Sequence, residues 1–100
     1  MASAAKNKAS GPTVVRDLVI GNKLGLHARP AAMFVRVANR FASDIQVEKD
    51  GEEINGKSIM GLMLLAAGCG SHLKVTVTGG DAEDMVKALE ELIARKFDEE

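Results

Sequence analysis

Leu24-Gly25-Leu26-His27-Ala28-Arg29-Pro30-Ala31-Ala32 is the stretch where the pattern of the chain changes. Before it, residues 13–20 are rich in β-branched side chains, with Val14, Leu18 and Ile20 on one face and Arg16 interrupting it. That alternation predicts a strand whose core contribution is Leu18 and Ile20, and Gly21-Asn22-Lys23 is turn chemistry. After it, Ala31, Phe34, Val35, Ala38 and Phe41 recur at helical spacing and predict a helix over residues 28–41, with Arg36, Asn39 and Arg40 towards water. Pro30 fits the first turn, where its missing N–H breaks no bond. His27 is therefore expected at or just before a helix N-terminus, where unpaired N–H groups point outward and the dipole is positive. Such a position attracts anions and disfavours the imidazolium. Arg29 adds a guanidinium suited to phosphate oxygens. A neutral imidazole beside an anion cradle can take a phosphoryl group on nitrogen, although a histidine near a helix start is more commonly a cap or a surface residue.

Outward from this stretch the elements follow in short units. Residues 43–49 alternate, with Ile45 and Val47 inward, and Asp50-Gly51 is a two-residue hairpin turn leading into a short, charged edge strand over residues 52–55. Ser58 is placed to cap a short helix over residues 59–65. That helix is apolar nearly all round, so some of it must stay exposed. Ile59, Met60 and Met63 are the candidate partner surface, methionine being suited to docking several shapes; the plain alternative is a helix wholly in the core. Cys69 in the next small-residue loop reads as an inert thiol. Residues 71–78 alternate again, with Leu73, Val75 and Val77 inward and His72 exposed. Asp81 is expected to cap a last helix carrying the stripe Ala82, Met85, Val86, Leu89, Leu92 and Ile93 and ending near Arg95-Lys96. The order β-α-β-β-α-β-α predicts an α+β fold, a four-stranded antiparallel sheet covered on one face by three helices.

Composition narrows the function. A chain of 100 residues is one domain, expected over residues 13–100, with residues 1–12 a flexible tail too polar to bury. The net charge of −1 leaves no basic footprint for nucleic acid. Three phenylalanines with no Trp or Tyr give no platform for stacking bases or sugars, and the lone cysteine builds neither a disulfide nor a cysteine metal site. No apolar run reaches membrane-spanning length and no secretory signal is visible, so a cytoplasmic protein without metal or cofactor is expected.

Two long motifs, residues 24–32 and Asn55-Gly56-Lys57-Ser58-Ile59-Met60-Gly61-Leu62-Met63, together with the order of elements, resemble the HPr family, the histidine phosphocarriers of the bacterial phosphoenolpyruvate-dependent phosphotransferase system. The resemblance spans residues 14–97. It implies an open-faced β-sandwich and a carrier that is not itself an enzyme. His27 matches the phosphorylated histidine, modified at Nδ1, Arg29 the phosphate-contacting arginine and Pro30 the helix-start proline. The implied donor is enzyme I, charged from phosphoenolpyruvate, and the implied acceptor an enzyme II A-type domain. Ser58 matches a regulatory site phosphorylated by HPr kinase. Leu62-Met63-Leu64-Leu65-Ala66-Ala67, Phe97 and the acidic tail look more like the nitrogen-related branch, NPr, whereas the Ser58 motif points to kinase-regulated HPr. Members usually start near the position of Thr13, so residues 1–12 extend beyond the family pattern. A regulatory, non-transporting binding module is the alternative from a different class, against which the presence of His27 argues. A small acyl-phosphate hydrolase would need a group to activate water, and no Asp or Glu lies near His27 along the chain.

Overall fold

The computed structural model describes residues 10–99; most of the expected tail and the terminal Glu100 lie outside the described residues. Strands β1 (Thr13–Val19), β2 (Asp44–Lys49), β3 (Glu52–Asn55) and β4 (His72–Thr78) form one sheet in the order β1-β4-β2-β3, with every neighbouring pair antiparallel. Helices α1 (Ala28–Ala38), α2 (Ile59–Leu64) and α3 (Ala82–Ala94) complete the expected order and cover one face. Pairing β1 with β4 and β4 with β2 puts the two long strands beside each other and leaves the charged β3 on an edge, as its composition requires.

Strand alternation determines which side chains meet the helices. Leu18, Ile45, Val47, Leu73, Val75 and Val77 are buried beneath Phe34, Ala38, Met85, Leu89 and Leu92, while Val15, Asp17, Val19, Gln46, His72 and Lys74 stay on the opposite, solvated face. Arg16 belongs by register to the covered face. It escapes burial because β1 is an edge strand and its guanidinium reaches Glu83 at 3.0 Å and Glu90 at 3.3 Å on α3. The hairpin turn has φ of 52° at Asp50 and 86° at Gly51, the two positive values that a type I′ turn needs.

Several element ends, and one expected capping bond, differ from the sequence reading. α1 stops at Ala38, and Asn39, Arg40 and Phe41 turn away from it. Phe41 packs partly against the core, and its carbonyl accepts from Lys57 Nζ at 2.9 Å. β1 ends one residue early, with Ile20 buried just beyond it, and α2 ends at Leu64 with Leu65 buried at its C-cap. Asp81 stands at the N-cap position of α3, as expected, but its side chain makes no capping bond. Its carboxylate instead accepts from the Ala42 and Ser43 N–H groups, at 2.9 and 3.0 Å, and from the Ser43 hydroxyl. Three donors from the α1–β2 connection outcompete one from its own helix. The Ser43 hydroxyl first, and the Ala42 N–H next, hold its pKa below the ordinary carboxylate value.

After α3 the chain makes a left-handed turn. Lys96, Phe97 and Asp98 have φ of 54°, 55° and 58°, a conformation costing about 1–2 kcal/mol for each non-glycine residue. Burying Phe97 to 1% exposure offsets about 1.5–3 kcal/mol of that. The turn reverses the chain towards the start of α1.

Candidate functional site

His27 is the N-cap of α1, in extended geometry, and its side chain makes no capping bond. The first helical bond runs from the Ala31 N–H to the His27 carbonyl at 2.9 Å. Pro30, buried in the first turn, has no N–H to satisfy, and the N–H groups of Ala28 and Arg29 have no carbonyl within the helix to meet. The helix therefore presents open donors beside the imidazole. Arg29 is exposed and has no ion-pair partner among the described residues.

The loop before His27 is held tightly. Leu26 donates to the Ala67 carbonyl at 2.8 Å, and Gly25 has φ of +73° with its Cα against the same carbonyl, where an added Cβ would collide. That clamp fixes the loop against residues 66–68 and aims the ring outward, with 39% of the side chain exposed. The ring lies beside a shallow depression of about 240 Å³ lined by Leu24, Leu26, Met63, Ala66, Ala67 and Gly68. A second depression of about 400 Å³, lined by Lys23, Leu24, Arg29 and Glu99, shares Leu24 as its wall.

Glu99 is the residue that sequence reasoning missed. Its Oε2 stands 2.9 Å from His27 Nε2 and its Oε1 accepts from Asn22 Nδ2 at 2.8 Å. A carboxylate thus does lie beside His27, 72 residues away along the chain, which removes the sequence-based objection to a water-activating group. Both of its oxygens are already engaged, one on the ring and one on Asn22. The apolar Phe97 in a charged tail was the signal available for such an anchor.

Ser58 lies at the start of α2 and its Oγ accepts from the Gly61 N–H at 2.9 Å, the expected cap. α2 buries Leu62 and leaves Ile59, Met60, Met63 and Leu64 exposed, Met60 to 74% and Leu64 to 67%. Leu24, 73% exposed, joins Met63 beside His27, so the apolar patch extends past the three residues anticipated and meets the histidine. His72 is exposed on β4 and pairs through Nδ1 with Asp17 at 2.8 Å; Cys69 is a free, exposed thiol. Among the described residues no group of His, Cys, Asp and Glu could hold a metal ion, and no helix is long and apolar enough to cross a membrane.

A half-exposed histidine at a helix start without a side-chain cap, on a four-stranded antiparallel sheet covered by three helices, defines the class as a small α+β domain with an accessible imidazole. The family model described as the PTS HPr component phosphorylation site matches residues 14–95. A phosphocarrier protein HPr from Treponema pallidum is 47% identical over 87 residues, covering 87% of this chain and 99% of that protein. An HPr-like protein Crh from Halalkalibacterium halodurans is 50% identical over 76 residues, 76% of this chain and 90% of its own length. The crystal structure of HPr-C-His from Thermoanaerobacter tengcongensis superposes with a TM-score of 0.83 at 49% identity, covering 87% of this chain and 98% of that one. The chain belongs to the HPr family of phosphotransferase-system phosphocarriers.

Proposed function

We propose that the protein is a cytoplasmic phosphocarrier that accepts a phosphoryl group from phospho-enzyme I, charged by phosphoenolpyruvate, on His27 Nδ1 and passes it to an enzyme II A-type protein. One observation carries this reading: the imidazole has one nitrogen tied down on Glu99 and, among the described residues, no hydrogen-bond partner at the other, at the open end of a helix. Phosphoryl transfer asks the protein mainly for positioning and charge stabilisation. The N–H groups of the first turn and the Arg29 guanidinium supply donors for the three oxygens. The exposed apolar surface of Leu24, Ile59, Met60 and Met63 gives each partner something to dock on without enclosing the ring. That openness suits a group that must leave again.

A second reading, a regulatory binding module controlled at Ser58 by an HPr kinase, is favoured by the likeness to an HPr-like protein and by Ser58 standing beside that patch. A phosphate there would add about −1.5 to −2 charges to the edge of the docking surface. Incubation with phosphoenolpyruvate and enzyme I, followed by a panel of A-type acceptors, separates the two. The carrier becomes labelled and discharges to an acceptor, sugar-branch or nitrogen-branch; a regulatory module stays unlabelled while binding partners in a Ser58-dependent way.

A further inference from the structure

The left-handed turn at Lys96–Asp98 brings Glu99 back onto the start of α1, and what it meets there is unusually constrained. Asn22 is fully buried. Its Nδ2 donates to the Gly25 carbonyl and to Glu99 Oε1, both at 2.8 Å, while its Oδ1 has no partner among the described residues. Flipping the amide would set Oδ1 against two acceptors, so both N–H groups are committed and the unpaired oxygen is the consequence. Glu99 then has Oε1 occupied by Asn22 and only Oε2 for His27. A carboxylate accepts and does not donate, so the ring nitrogen facing it, Nε2, must carry the proton.

Resting on the phosphocarrier reading above, we infer that Glu99, held by Asn22, is a positioning residue: it fixes the His27 proton on Nε2 and so makes Nδ1 the nitrogen that takes the phosphoryl group. In the transfer, the Nδ1 lone pair forms the new P–N bond while the bond from phosphorus to the donor protein's phosphorylated nitrogen breaks, its electron pair returning to the donor. No proton leaves His27. The positive charge that develops on the ring lies across the Nε2–H bond from Glu99, which stabilises it there and orients the ring throughout. Return of the group to an acceptor reverses the same steps.

The arrangement makes an unusual demand of a conservative substitution. In Glu99→Gln the new side chain has one acceptor and one donor. Asn22 claims the acceptor, which turns the NH₂ group towards Nε2 and drives the ring proton to Nδ1, blocking the nucleophile. Glu99→Gln is therefore more damaging than Glu99→Ala, the reverse of what loss of a charge or of packing would give. The full chain, labelled with ¹⁵N, is examined by NMR at about pH 8.5, two units above the ordinary histidine value of about 6.5. The expected result is Nε2–H in the natural sequence, Nδ1–H in Glu99→Gln and a mixture in Glu99→Ala. Transfer from phospho-enzyme I slows by about 10- to 100-fold in Glu99→Gln, less in Glu99→Ala, and Glu99→Asp recovers most of it. An unchanged tautomer in Glu99→Gln, or equal rates for the glutamine and alanine variants, overturns the inference. Failure of the natural sequence to accept any phosphoryl group sinks the carrier reading instead, and the tautomer measurement still decides the part played by Glu99.

Discussion

The two helix starts that flank the exposed apolar patch differ in what they do with their own N–H groups. α2 is closed: Ser58 Oγ takes the Gly61 N–H, and the helix end has spent its capping acceptor on itself. α1 is open: His27 occupies the cap position, gives the helix no side-chain acceptor, and turns its ring to Glu99 instead. A closed start gains stability, on the order of 1 kcal/mol for a serine cap. An open one leaves donors for a guest anion. The same structural position thus serves folding in one helix and, in the function proposed above, chemistry in the other.

Several substitutions break or sharpen this contrast. The largest effect belongs to the open end: His27→Ala should abolish acid-labile labelling by enzyme I and phosphoenolpyruvate, and retained label would contradict the assignment. Next, Arg29→Ala should slow transfer about tenfold, the scale of one charge-assisted hydrogen bond. Its melting temperature should hold, because Arg29 is exposed and has no ion-pair partner among the described residues; a large fall would mean that the guanidinium serves the fold. At the closed end the ranking reverses. Ser58→Ala should cost about 1 kcal/mol in chemical denaturation with little change in transfer, and Ser58→Asp should weaken enzyme I binding by calorimetry through charge at the edge of the apolar patch.

The smallest effect concerns a third helix start, at α3. Asp81 has its pKa depressed by Ser43 and Ala42, so its contribution to stability is present above the ordinary carboxylate pKa of about 3.9 and is lost as pH falls through the lower folded value. Thermal melts from about pH 5 down to about pH 2 should show Asp81→Asn losing less stability than the natural sequence across that window. Parallel curves would show that the carboxylate is not linked to folding.

Local pattern made much of this legible. The period-two runs around Val47 and Val75, the Asp50-Gly51 turn, the stripe from Ala31 to Ala38 and the cap at Ser58 each depend on neighbours a few residues away, and each has the structure its spacing predicts. Asp81 and Glu99 are different. Both are acidic residues, one read locally as a cap and the other only as part of an acidic tail, and both meet donors 38 and 72 residues distant along the chain. Periodicity reports which way a side chain faces, not which distant group will be there to meet it. For the same reason the sequence places Leu24 only in the histidine motif, whereas the fold sets it beside Met63.

The most direct test is to phosphorylate the full chain with enzyme I and phosphoenolpyruvate and locate the group by ³¹P NMR and peptide mapping. A single acid-labile phosphoryl group on Nδ1 of His27 is the predicted result. A group on Nε2, on His72 or on a hydroxyl would contradict it.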